Sequence, residues 1–251
     1  MNCNLNIRTK VDVTVNQIVD DMRAQPFFYD ELGFMIWKSN TLYITFRGTK
    51  DPKDITKIVN IRPRQFIKDV YLHAGFLDLF LSIEPQLTAN IRDIVNSYPI
   101  ERLVFSGHSM GGSIATLAAA YYGSIFEHIF MTCHTFGSPV IGNLGFVQWY
   151  SDHVDESTRL EIEEDLVPLI PVNLNFHHVP HGAKLKKNEQ VEYDYPDTFT
   201  NYTEIITRLF NTQSIYVNHS CEKYLERLIA LKQIRRCNFE TLEGKTSSFG
   251  L

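Results

Sequence analysis

Apolar residues recur along this chain with two periods, and their alternation outlines a fold before any chemistry is considered. Val15, Ile18, Val19 and Met22 follow helical spacing and predict an amphipathic helix over Val13–Arg23. Gly33–Lys38 and Leu42–Arg47 alternate like strands around Ser39-Asn40, a turn dipeptide. Phe76, Leu79, Phe80, Ile83, Leu87, Ile91, Ile94 and Val95 predict a long helix over Phe76–Val95. Pro85 is expected to kink or split it, because proline has no N–H for the ladder and its ring crowds the preceding turn. Leu103–Ser106 predicts a short buried strand, followed by a small-residue helix over Ile114–Tyr122. Ile129–Phe136 and Thr158–Glu163 are further strand candidates, and Cys221–Gln233 is a final amphipathic helix. Strands alternating with helices predict an α/β fold, a mostly parallel central sheet with helices on both faces. The expected organisation is one domain over residues 1–251 with a frayed tail at 244–251.

Composition narrows the class. With 44% hydrophobic and 21% charged residues in 251, the chain is neither disordered nor a fibrous repeat. A net charge of -5 gives no support to nucleic-acid binding through a basic surface. The most apolar stretch, Ile114–Phe126, is too short to span a bilayer. The first sixteen residues alternate polar and apolar positions and lack the apolar centre of a secretory leader. Cys3, Cys133, Cys221 and Cys237 show no CxxC spacing and are expected to be free thiols. These features predict a soluble, intracellular protein with no metal site.

Chemistry enters between the Leu103–Ser106 strand and the helix after it, where the chain runs Gly107-His108-Ser109-Met110-Gly111-Gly112. This is a GxSxG pattern in a strand-turn-helix context. A turn this tight pushes the serine hydroxyl above the sheet, and the positions two before and two after it must lack side chains. Gly107 and Gly111 meet that need, and the helix N-terminus directs backbone N–H groups at a developing oxyanion. The same glycines would also suit a strand-to-helix turn without chemistry. His108, adjacent to the serine, is expected to pack rather than act as a base.

A serine needs a base, and the base needs a carboxylate to hold its tautomer. On this scaffold the chain order is Ser, then Asp or Glu, then His. Asp165 begins the loop at the carboxyl end of a strand, where sites gather in open α/β sheets. Glu163 and Glu164 rival it, and Asp152 and Asp155 are weaker candidates. His177, His178, His181 and His219 are candidate bases. The first three form a cluster that no Cys, Glu or Asp joins with ligand spacing, so a loop or strand edge explains it better than a metal. His219 stands at a loop-to-helix entry, where it could lean over the sheet or lie exposed beside a capping Asn218 or Ser220. The local pattern leaves these alternatives open.

Six ordered blocks carry a resemblance that goes further. They are Ile44-Thr-Phe-Arg-Gly-Thr49, His73-Ala-Gly-Phe76, Gly107–Gly112, Thr135-Phe-Gly-Ser-Pro139 with Gly142-Asn143, Asp165-Leu-Val-Pro168, and His219 with Tyr224. From about Phe34 to Leu228 the chain resembles the class 3 lipases, the family typified by small fungal triacylglycerol lipases, which have the α/β-hydrolase fold. The resemblance implies Ser109 as nucleophile, Asp165 as orienting acid and His219 as base. It further implies an oxyanion hole formed by the Met110 N–H and by Thr49 through backbone and hydroxyl. The implied activity is hydrolysis of carboxylic esters of acylglycerols or phospholipids through an acyl-enzyme, without a cofactor. Two rivals are a lipase-like scaffold that only binds a partner, and the same machinery used for acyl transfer or on non-lipid esters.

The family carries its lid after the position of Thr49, here residues 50–68. Ile55, Ile58 and Val59 share one helical face, and the segment holds six basic and two acidic residues. A cationic amphipathic segment suits peripheral contact with an anionic lipid surface, and the same pattern equally fits a solvated helix with an ordinary buried stripe.

Overall fold

The computed structural model describes residues 23–25, 32–49, 60–171, 175–188, 190–194 and 217–231. β1 (Arg23–Gln25) pairs antiparallel with β2 (Gly33–Lys38), and β2 with β3 (Thr41–Phe46) across the Ser39-Asn40 turn. β4 (Pro63–Ile67) and β5 (Val70–His73) form a separate hairpin that leads into α1 (Ala74–Ser97). Next come β6 (Arg102–His108), α2 (Met110–Gly123), β7 (Phe130–Phe136), α3 (Leu144–His153), β8 (Glu156–Ile162), β9 (Gly182–Leu185) and β10 (Val191–Tyr193). Residues 221–231 form a last helix, α4. The large sheet is ordered β1-β2-β3-β6-β7-β8-β9-β10, and β3, β6, β7, β8 and β9 are mutually parallel neighbours.

Parallel strands are joined by crossovers that lay helices on the sheet, so their side chains are buried on both faces. Leu42, Ile44, Leu103, Phe105, Met131 and Cys133 pack into one core with α1, α2 and α3. α2 is buried almost all round, and its small residues Gly111, Gly112, Ser113 and Ala115 permit close approach to the sheet. Leu160 and Ile162 alternate with Arg159 and Glu161, and they join Phe136, Tyr224, Leu228 and Leu231 in a second core under α4. This second core brings the chain's late residues over the carboxyl ends of the strands. That end of an open α/β sheet is where sites form.

The helix around Pro85 is continuous from Ala74 to Ser97 and is not split. Pro85 and Leu81 both lie on the exposed side, so the Leu81 carbonyl that loses its usual donor faces solvent. α3 went undetected because Phe146 and Tyr150 are its only buried residues, too few to set a period. β4 reads Pro-Arg-Gln-Phe-Ile and is largely exposed, so no alternation marks it. Asn143, in the Gly-Asn pair, caps α3 by accepting from the Phe146 N–H, and its side chain also bonds the Tyr71 N–H and the Asp69 carbonyl. It thereby ties the β4–β5 hairpin to the main body. The expected helix over Val13–Arg23, the tail 244–251, Lys50–Val59, Cys3 and Cys237 lie outside the described residues, except that Arg23 begins β1. Cys133 and Cys221 are unbridged. Among the described residues no helix is long and apolar enough to cross a membrane, and no group of side chains could hold a metal ion.

A buried histidine and a half-buried one make the fold sensitive to acid. His73 caps α1 by accepting from the Phe76 N–H at 3.4 Å, and burial lowers its pKa from 6.5 to about 4. Burial, then the charge on His219, lowers His108 to about 4 as well. Between pH 6.5 and 4 the unfolded chain binds protons at these positions that the native state does not, so stability falls as pH falls through that window. The expected result is a thermal midpoint that drops between pH 7 and 4.5, with two imidazole NMR resonances that do not titrate above pH 5. Titration of every described histidine near pH 6.5 would contradict this.

Candidate active site

β6 ends at His108 and α2 begins at Met110, leaving Ser109 alone to reverse the chain. Its φ of 57° and ψ of -128° lie where non-glycine residues are rarely found, a conformation costing about 1–3 kcal/mol that the surrounding structure must hold. The flanking glycines make the turn possible. A Cβ on Gly107 would stand 2.2 Å from the Gly111 carbonyl oxygen, and one on Gly111 would stand 2.2 Å from that of Phe46. The strand, the helix and the end of β3 therefore meet backbone to backbone under the serine.

His219 enters from the start of α4 and bridges two partners. Its Nε2 is 2.6 Å from the Ser109 Oγ, and its Nδ1 is 2.8 Å from Asp165 Oδ2. A carboxylate only accepts, so Nδ1 carries the hydrogen and Nε2 is left to accept from the serine hydroxyl. Asp165 lies in the turn after β8, and its side chain is wholly buried. Oδ1 accepts from the Val167 N–H at 3.0 Å, while Oδ2 accepts a second bond from the Tyr224 hydroxyl at 2.7 Å. Burial and the neighbouring Asp165 charge push the Tyr224 phenol well above its ordinary range, so it stays a donor.

The structure thus brings Ser109, His219 and Asp165 into one hydrogen-bonded line and leaves the rivals elsewhere. Glu163 is exposed and bonds the Lys187 N–H and the Lys186 ammonium. Glu164 has a buried carboxylate oxygen without a hydrogen-bond partner and makes no contact with His219 among the bonds described. Asp155 bonds the Met131 N–H near the start of β7, at the opposite end of the sheet, and Asp152 bonds Gln148 within α3. His177 faces Asn175, His181 is exposed, and His178 bonds the Pro168 carbonyl. His108 does pack, as expected, and one of its partners is His219 itself. The two rings lie tilted by 32° with centroids 4.6 Å apart, and the Tyr224 ring is edge-on to His108 at 5.5 Å.

The loop after β3 lies against the elbow. A Cβ on Gly48 would come within 3.4 Å of the Ser109 Cβ, and the Thr49 hydroxyl is 3.9 Å from the Met110 sulfur. Thr49 is exposed, and Met110 is the first residue of α2, so its N–H has no acceptor within the helix. Residues 60–68 of the expected lid segment form the approach to the β4–β5 hairpin and its first strand, rather than a helix.

Sequence reasoning gave Gly137 no role of its own. Its φ is +57°, and a Cβ there would meet Asp165 Oδ2 and the Tyr224 hydroxyl at 2.8 Å each, and the His219 Cε1 at 3.1 Å. A side chain at this point would wedge the acid away from the imidazole. Gly137→Ala is expected to fold but to lose about tenfold to a hundredfold in kcat for ester hydrolysis, since a misplacement of about 1 Å can cost that much. Steady-state kinetics with a p-nitrophenyl ester checks it, and a wild-type kcat would show that the pocket around Asp165 is not tight.

A parallel-stranded α/β fold with a serine elbow, a buried aspartate and a histidine between them defines a class of hydrolase-like proteins. The family model for class 3 lipases matches residues 43–175, and the chain belongs to that family. It is 28% identical over 138 residues to a lipase of Rhizomucor miehei, covering 52% of this chain and 38% of the relative. It is 31% identical over 103 residues to a secreted mono- and diacylglycerol lipase of Fusarium solani, covering 40% of this chain and 29% of the relative. The chain thus spans well under half the length of these curated relatives. Among solved structures, lipase II from Rhizopus niveus superposes with a TM-score of 0.65 at 21% identity, over 84% of this chain and 86% of that one. The fold is accordingly that of the α/β-hydrolases. The expectation of an intracellular setting is overturned by these matches: the Fusarium solani relative is named as secreted.

Proposed function

We propose that this protein is a serine carboxylic-ester hydrolase acting on lipid esters, and that residues 1–251 work as one α/β-hydrolase domain. The observation that carries the proposal is the unbroken line from the Ser109 Oγ through His219 to the buried Asp165, at 2.6 and 2.8 Å. Ser109 attacks the ester carbonyl while His219 Nε2 takes its proton. Asp165 stabilises the imidazolium that forms and keeps Nδ1 as the protonated nitrogen. The Met110 N–H and Thr49, through its backbone and hydroxyl, receive the oxyanion. His219 returns the proton to the leaving alcohol, and the acyl group stays on Ser109. Water, activated by the same imidazole, then releases the fatty acid. The chain's own groups supply every step, so no cofactor enters.

Acylglycerols are the favoured substrates, since the matched relatives are named as lipases and as a mono- and diacylglycerol lipase. Peripheral contact with anionic lipid through 50–68 is part of the same proposal. Within its described portion, Ile61 and Ile67 are 45% and 40% exposed beside Arg62 and Lys68, while the nearby Arg64 is ion-paired with Asp78. Each cation near an anionic membrane contributes about 1 kcal/mol of attraction. Fatty-acid release from a diacylglycerol is expected to rise several-fold when it is presented in vesicles containing phosphatidylglycerol rather than phosphatidylcholine alone. Equal rates would remove the anionic contact, and no release from any acylglycerol would leave a lipase-like scaffold.

A further inference from the structure

The acid's position is fixed by more than its own hydrogen bonds. Asp165 sits in a turn closed by its N–H bonding the Ile162 carbonyl and continued by the 3-10 turn Val167–Leu169. The Val167 N–H that holds Asp165 Oδ1 belongs to that second turn. The next residue, Pro168, presents its carbonyl to His178 Nε2 at 2.7 Å. Because a carbonyl only accepts, His178 must carry its hydrogen on Nε2. The buried Glu161 carboxylate, 3.6 Å from the same nitrogen, favours that arrangement.

His178 is itself held by its neighbours. The preceding residue donates its backbone N–H to the Gly142 carbonyl at 2.7 Å, and the following one accepts from the Arg159 Nε at 3.3 Å. Arg159 and Glu161, on the face of β8 opposite Leu160 and Ile162, are both buried and ion-paired. A buried charged pair on β8 thus lies against an imidazole that reaches the acid's turn. Outer-shell partners of this kind orient the groups that do chemistry.

We propose that His178 is a positioning residue for the reaction: its Nε2–H holds the Pro168 carbonyl and so sets the Val167 N–H and the Asp165 carboxylate at the distance His219 requires. The inference rests on the reading of Asp165 and His219 given above. It assigns a task to one member of the His177-His178-Val179-Pro180-His181 cluster, which that reading leaves unused.

Two amides separate this role from general packing. The side-chain nitrogen of glutamine can stand where Nε2 stands, whereas that of asparagine falls one carbon short. In the full chain, His178→Gln is expected to keep kcat for a p-nitrophenyl ester within about threefold of the original. His178→Asn is expected to lose about tenfold or more in kcat with KM within about twofold, as a misaligned catalytic group does. The low-field proton resonance of the His219–Asp165 hydrogen bond should persist in the Gln variant and broaden or vanish in the Asn variant. That resonance reads the positioning without any turnover, so it remains decisive if ester hydrolysis itself is not found. An Asn variant with unchanged kcat and an unchanged resonance overturns the proposal. So does a folded Gln variant as impaired as the Asn one.

Discussion

Ser109→Ala is expected to lower kcat for p-nitrophenyl ester hydrolysis by about four to six powers of ten, leaving KM nearly unchanged. The hydroxyl contributes little to ground-state binding, because it stands at the elbow with its hydrogen committed to His219 Nε2 at 2.6 Å. Removing it deletes the bond-forming atom and leaves the scaffold intact. Ser109 donates its side chain to no structural partner, and α2 has no side-chain cap from it. The variant should melt near the temperature of the original, since alanine carries the same backbone strain at this position and removes no structural hydrogen bond. A parallel fall in thermal midpoint and kcat would instead mean that the loss reports unfolding. Activity within tenfold of the original would take Ser109 out of the mechanism.

Asp165→Asn is expected to cost about four powers of ten in kcat at neutral pH with little change in shape. The aspartate accepts on both oxygens, from the Val167 N–H on Oδ1 and from His219 and Tyr224 on Oδ2. An asparagine has one accepting oxygen and one donating nitrogen. If its oxygen faces His219 and Tyr224, its NH2 opposes the Val167 N–H. If it flips, the NH2 opposes the Tyr224 hydroxyl and drives His219 to the tautomer that cannot accept from Ser109. Either orientation also leaves the imidazolium without a neighbouring negative charge. A pH-rate profile distinguishes this from simple misfolding: the folded variant should recover part of its rate in alkaline solution, where hydroxide assists the attack. A variant retaining more than a tenth of kcat at pH 7 would mean that Asp165 does not orient the base.

The elbow was legible in the sequence because its physics is local. Gly107 and Gly111 are required by contacts within one turn of chain and with the adjoining end of β3. The choice of acid was not legible from spacing. Glu163, Glu164 and Asp165 fall within three consecutive positions, and only the turn that closes after Ile162 sends Glu163 to the Lys186 side and Asp165 to His219. His219 could not be separated from a solvent-exposed loop residue until the α4 core placed Tyr224, Leu228 and Leu231 over β8 and β9. Resemblance to the family supplied what local pattern could not, because it carries long-range geometry in the order of its motifs. Gly137 and His178 matter through contacts with residues at least 10 positions away, for which no short pattern exists. Pro85 misled for the opposite reason: the local rule was sound, but the solvent-facing side of α1 tolerates the lost hydrogen bond.

The most direct measurement is covalent labelling with a fluorophosphonate, followed by mass spectrometry of the digested protein. One phosphonate adduct per chain is predicted, located on Ser109 and abolished in the Ser109→Ala variant. An adduct on another residue, or no adduct on folded protein that still hydrolyses esters, would contradict it.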